Sequence, residues 1–184
     1  MSSSVRGTDA LLAGYRPAGA TETADVARIL AMVEGAPDPW SRGLPLHLTA
    51  SALVVHPETA RVLLRWHEKM NRWLQVGGHG DPGETDPLGV ALREGREETG
   101  LADLCPWPDA QLRHAVVVPV PGTPREPAHE HADLRFVLAT ATPAAARPER
   151  PSAPLRWLTI AEALDLAETD NLRETLRRTR LLFG

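Results

Sequence analysis

Residues 77–101 read Gly-Gly-His-Gly-Asp-Pro-Gly-Glu-Thr-Asp-Pro-Leu-Gly-Val-Ala-Leu-Arg-Glu-Gly-Arg-Glu-Glu-Thr-Gly-Leu. A glycine-rich loop runs into a carboxylate, Glu84, and then into a segment with helix start and stop signals. Asp86 is suited to cap the helix by accepting from a free backbone N–H, and Pro87 fills the first helical position. Gly100 stands where a left-handed residue would end it. At helical spacing Leu88, Ala91, Leu92, Gly95 and Thr99 form a packing stripe, while Glu94, Glu97 and Glu98 form an acidic stripe expected to be presented.

Like charges on one helical face repel by a few tenths of a kcal/mol per pair. Taken alone, three glutamates would read as a solvated face. The adjoining glycine loop, Glu84 and Arg93 count against that reading. Hard oxygen donors gathered in this way suit Mg2+ or Mn2+, whose charge would relieve the repulsion.

The stretch resembles the Nudix box of the Nudix hydrolases, which cleave nucleoside diphosphates linked to another moiety. Gly78, Glu84, Arg93, Glu94, Glu97, Glu98, Gly100 and Leu101 match that pattern in order. Two departures stand out. Eight residues separate Glu84 from Arg93 where the pattern has seven, and because the extra one precedes Asp86, only the placement of Glu84 is affected. Gly95 replaces the usual apolar residue, costing about 1 kcal/mol of helix propensity but allowing the helix to lie close to a sheet.

The resemblance implies an α/β fold, the Nudix α/β/α sandwich with a mixed β-sheet, here with an N-terminal helical arm and a C-terminal helix. It implies metal-assisted attack of water at phosphorus on a nucleotide or nucleotide-sugar diphosphate. Glu94, Glu97 and Glu98 would hold Mg2+ or Mn2+ with the carbonyl of Gly77 or Gly78, and Arg93 would orient the acids. One helical glutamate, or Glu84, would act as general base. Two other readings are a Nudix-like binding or regulatory module without catalysis, and the isopentenyl diphosphate isomerase branch. Such modules typically have eroded box acids, and the isomerase chemistry wants a catalytic cysteine, which Cys105 fits poorly.

Outward from the box, His47 to Val55, Arg61 to His67 and Trp73 to Val76 read as strands leading into the glycine loop. After it, Gln111 to Val120 and His131 to Thr140 read as strands separated by a proline-rich loop over 121–130. Pro154 to Leu158 reads as a short strand, Thr159 as the cap of a helix to Ala167, and about 171–182 as a final helix whose Arg177, Arg178 and Arg180 suit its negative pole. Residues 1–20 read as loose, and Thr23 to Val33 as a single helix in an arm over 1–45 ahead of a domain over 46–184. That arm could cover the domain, rim the substrate site or contribute to a homodimer; covering fits it best.

Several residues outside the box are candidates for substrate contact. Arg65 on the second strand could meet a phosphate, although a solvated turn is the simpler reading. His129, His131 and Asp133 would align their side chains if their strand began early, compatible with metal or substrate contacts at a strand mouth. Trp66 shares a strand face with Val62 and Leu64 and reads as core; Trp73 stays open between core and a nucleobase platform.

The composition sets outer bounds. A chain of 184 residues with 42% hydrophobic and 24% charged content has room for one core-bearing domain. A formal charge of −4 lacks the basic footprint of a double-stranded nucleic-acid binder. One cysteine, no signal-peptide core and no membrane-length apolar run give the expectation of a soluble cytoplasmic protein.

Overall fold

The computed structural model describes residues 3–124 and 126–184. Met1, Ser2 and, within the proline-rich loop, Arg125 lie outside the described residues. An eight-stranded mixed sheet carries the architecture. Its spine is the parallel pair of β1 (Leu46–His56) and β7 (His129–Ala139), in register from Leu46↔Glu130 to Val55↔Ala139. On one side β1 pairs antiparallel with β2 (Arg61–His67) and β4 (Val76–His79); β2 in turn carries β3 (Arg72–Leu74) and β8 (Leu155–Thr159). On the other side β7 pairs with β5 (Cys105–Pro106) and β6 (His114–Val120).

Alternation along β1 sorts the two layers, because successive side chains point to opposite faces. Leu48, Ala50, Ala52 and Val54 join a core with Val90 and Ala91 of α3 (Pro87–Thr99). Leu12 of α1 (Ser3–Gly14) and Val26, Ile29 and Val33 of α2 (Gly19–Gly35) join the same core. Leu53 and Val55 pack instead with Ile160 and Ala163 of α4 (Ile160–Leu166) and Leu172 and Leu176 of α5 (Asp170–Arg180). The result is an α/β/α sandwich.

Residues expected to be loose are therefore partly helical: Ser3–Gly14 forms α1, and its Leu12 is buried. The expected strand into the box divides at Gln75 into β3 and β4. β7 begins two residues earlier than its alternation suggested, and β6 begins later, at His114. Thr159 closes a full capping box with Glu162 at the start of α4. The basic end of α5 does more than meet its helix pole. Arg178 turns inward to pair with the carboxylate of Glu22 at 2.8 Å and with Glu174 on its own helix.

α2 also finishes the sheet edge. The outward N–H groups of Ala115 and Val117 on β6 donate to the carboxylates of Glu22 and Asp25, at 3.2 and 3.1 Å. A strand edge that would otherwise present free donors is thereby closed.

Candidate active site

α3 is placed by its ends. Asp86 accepts from the N–H groups of Leu88 and Gly89, and Gly100 adopts φ 68° as the left-handed terminator. Its buried stripe is rotated from the expected one: Val90, Ala91, Gly95, Glu98 and Thr99 face inward, while Leu88 and Leu92 are only half-buried. The acidic stripe is thus not uniformly presented. Glu98 is 8% exposed, whereas the Glu97 side chain is 55% exposed. Gly95 permits the close approach; a Cβ there would come within 3.0 Å of Leu104 and 3.5 Å of Leu138.

Glu94 and Glu98 converge on the backbone of β4. The N–H of Gly77 donates to Glu98 Oε2 at 3.0 Å, so this glycine meets the acid through its amide. The Glu94 carboxyl group lies over Gly78, where a Cβ would meet its carbon at 2.7 Å. At Gly77, φ is 147° and a Cβ would collide with Ser51 at 2.3 Å. Gly77 is required by space and backbone angle, whereas a side chain at Gly78 would displace the Glu94 carboxyl group.

Two arginines run through the acids. Arg93 donates through Nη1 to Glu94 at 2.9 Å and Glu97 at 3.1 Å, through Nη2 to the carbonyl of His79 at 2.9 Å, and through Nε and Nη2 to Glu84. The extra loop residue therefore leaves Glu84 facing the box helix, and the Arg93 guanidinium holds its carboxyl below the usual range. Arg65 is buried at 8% exposure rather than solvated at a turn. It shares the α3 side of β2 with Leu63 and pairs with Glu98 Oε1 at 2.9 Å. Its Nη2 lies 3.4 Å from Glu149, a carboxylate on the 141–153 loop that the sequence reading did not single out.

Burial pushes the Glu98 carboxyl up to about 7, against the opposing effects of Arg65 and the Gly77 N–H. Burial also raises Glu94, with Arg93 opposing. A carboxyl poised near neutrality beside fixed cations is the condition a general base requires.

His129, His131 and Asp133 do align on one strand face, but it is the face opposite α3. Asp133 is enclosed there, accepting from Thr49 at 3.1 Å, Ser51 at 2.9 Å and Arg135 at 2.7 Å. His129 and His131 meet His47 and His79 instead. Trp66 and Trp73 pair edge-on at 5.6 Å, with Trp73 packed on the α4–α5 core, so neither sits beside the glutamates.

A mixed-sheet sandwich whose helix brings carboxylates onto a glycine-bearing strand defines a Nudix-type hydrolase fold. A family model described as NUDIX domain matches residues 45–179. The chain belongs to the NUDIX family. Among solved structures, a C. elegans Ap4A hydrolase binary complex superposes with TM-score 0.59 at 17% identity, covering 73% of this chain and 95% of that one. The E. coli dihydroneopterin triphosphate pyrophosphohydrolase gives 0.52 at 20%, covering 73% and 94%. A Nudix hydrolase from M. smegmatis, RenU, gives 0.51 at 27%, covering 73% and 84%. A search of curated proteins finds no match. Among the described residues no helix is long and apolar enough to cross a membrane.

Proposed function

We propose that this NUDIX-family chain hydrolyses a diphosphate linkage in a nucleoside diphosphate derivative, using water as nucleophile. The observation that carries the reading is the convergence of Glu94 and Glu98 on Gly77–Gly78, with Arg65 against Glu98. The donor set fits a divalent cation of the Mg2+ or Mn2+ class, because it consists of hard carboxylate oxygens. Two of them, on Glu94 and Glu98, are held above their usual pKa by burial and would be relieved by added positive charge. Glu94, Glu97 and Glu98, with the carbonyl of Gly77 or Gly78, would hold such an ion, which supplies neutralisation of phosphoryl charge and activation of water.

The chain's own residues do the remaining work. Of the helical glutamates, Glu98 is the one proposed to keep an oxygen off the ion and take the proton from the attacking water as general base. Arg93 keeps Glu84, Glu94 and Glu97 in fixed relation through charge-assisted hydrogen bonds. Arg65 has a buried Nε with no hydrogen-bond partner, and its guanidinium is suited to donate to a phosphate oxygen when the Glu98 contact loosens. His129, His131 and Asp133 are left out of this role because they occupy the far face of the sheet. The single cysteine, Cys105, suits a reducing cytoplasmic setting.

The test is product analysis on a panel of nucleoside triphosphates, dinucleoside polyphosphates and nucleotide sugars with Mg2+ and with Mn2+. Metal-dependent release of a nucleoside monophosphate or pyrophosphate from one class is expected. Turnover that survives exhaustive EDTA treatment, or no turnover of any panel member, overturns the proposal.

A further inference from the structure

Four of the seven histidines in the chain gather on the sheet face turned away from the glutamates. Strand register brings them there. His47 of β1 sits opposite His131 of β7, and His79 of β4 sits opposite Thr49, one alternate residue along β1. His129 is the alternate residue before His131 on β7. The ring centroids of His79 and His131 are 4.8 Å apart, and those of His47 and His131 are 5.1 Å apart.

The rings are oriented as well as close. Nδ1 of His47 lies 3.0 Å from the carbonyl of Leu44, and Nδ1 of His129 lies 3.0 Å from that of Pro127. Each contact favours the tautomer with the proton on Nδ1, leaving Nε2 as a lone pair. A backbone carbonyl in this position commonly fixes the tautomer of a metal-ligating histidine. Nε2 of His47 is 3.1 Å from Nε2 of His79, and Nε2 of His129 is 3.2 Å from Nε2 of His131. Imidazoles bound tetrahedrally at about 2.0–2.1 Å have nitrogens roughly 3.3 Å apart, so these pairs already have the spacing of neighbouring ligands. One ring nitrogen from each of His47, His79 and His131 lies within 4.8 Å of the others.

We propose that His47, His79 and His131 form a binding site for a zinc-class transition metal, with His129 supplying a fourth nitrogen. The proposal does not rest on the hydrolase reading. Imidazole nitrogens select Zn2+, Co2+, Ni2+ or Cu2+ over the hard Mg2+ that carboxylates prefer, so the two faces of the sheet would sort metals by chemistry. Burial holds His47, His79 and His131 below the ordinary imidazole value, which favours the neutral, ligating form. Neutral rings are also poor receptors for a phosphate, which argues against a substrate-phosphate pocket here. A bound ion would tie β1, β4 and β7 together. It would also steady the backbone of His79, whose carbonyl accepts from Arg93 of the acid network.

The test uses the full chain, stripped with a chelator and reloaded with Zn2+ against a chromophoric competitor, in excess Mg2+. One equivalent should bind wild type and Glu98→Gln alike, and at least about 100-fold more weakly in His131→Gln; His129→Ala should give a smaller loss. At one fixed Zn2+ concentration the rise in melting temperature should be largest and equal for the first two proteins, smaller for His129→Ala and smallest for His131→Gln, as expected of a ligand specific to the native state. Metal-free melting of each variant checks its fold. Unchanged affinity in His131→Gln, loss of binding in Glu98→Gln, or no stoichiometric binding overturns the proposal. If His131→Gln does not fold, the visible spectrum of Co2+-loaded wild type decides: intense tetrahedral d–d bands support the site, and a weak octahedral spectrum overturns it.

Discussion

Glu22 and Glu98 are both buried glutamates on helices, 4% and 8% exposed, and each faces an arginine across an interface. Their chemistry is nonetheless opposite. Burial alone would raise both. At Glu22 it is overcome by Nη1 and Nη2 of Arg178, the Tyr15 hydroxyl and the N–H groups of Ala18 and Ala115, bringing the carboxyl to about 2. At Glu98 there is one contact from Arg65 and one from the Gly77 N–H, with Glu94 and Glu149 adding repulsion, and the carboxyl stays near 7. A carboxylate saturated with donors is a structural part. One left short of donors in the same degree of burial is ready to take a proton or a cation.

The comparison breaks first on stability. Glu22→Ala leaves Arg178 with only the more exposed Glu174 as counter-ion and should cost about 3 kcal/mol in urea unfolding, the lower end of the scale for removing one partner of a buried pair. Activity per folded molecule should stay near wild type. A loss below about 1 kcal/mol would mean that water, not Glu22, satisfies the arginine. Glu98→Gln should reverse the pattern, with little change in melting temperature and turnover on the best substrate at least about 100-fold lower. Wild-type turnover would return Glu98 to the class of structural acids.

pH separates the two glutamates with opposite signs. The folded-state pKa of Glu22 lies below its ordinary 4.5, so its stabilisation is complete above about 4.5 and is lost as pH falls towards 2. Glu98 has its folded pKa above the unfolded one, so the stability it confers is full below about 4.5 and is lost as pH rises through about 7. His79, His114 and His131, held below their ordinary 6.5 by burial, lose stability as pH falls. Curves of wild type minus Glu22→Gln and wild type minus Glu98→Gln, from thermal melts of metal-free protein, isolate each limb from that background. Parallel curves would end the distinction. The smallest effect is expected at Glu84, which a loop rather than a helix positions. Glu84→Gln weakens the Arg93 pairing and should lower turnover about tenfold, equivalent to ~1.4 kcal/mol, at saturating metal. A wild-type rate would remove Glu84 from the site.

Local chemistry was the most readable part of the chain. Asp86, Pro87, Gly100 and Thr159 each act through neighbours a few residues away, so their roles as caps are legible without the fold. Arg65 was also within reach. The alternation that put Trp66 with Val62 and Leu64 puts Arg65 with Leu63, on the face that α3 covers. The histidine cluster was half-legible: His129 and His131 are close in sequence, but His47 and His79 join them only through the β7–β1–β4 strand order, a tertiary fact. Likewise Glu98 looked like one of three equal acids, and only its packing against Arg65 and Gly77 sets it apart from exposed Glu97. The helix at Ser3–Gly14 was missed because its interrupted apolar pattern gains stability from docking Leu12 into a core built mainly by distant residues.

The carboxylates of Glu22 and Asp25 that close the outer edge of β6 bear on where this domain begins. The family likeness starts at residue 45; physical self-sufficiency starts earlier. A chain cut at that likeness would retain every box residue and all eight strands. It would nevertheless carry an open β-edge, an arginine at 178 without its buried counter-ion, and an apolar surface where Leu12, Val26, Ile29 and Val33 had rested. Such an edge invites another copy of itself, so a truncation drawn by homology would turn a finished sheet into a template for aggregation.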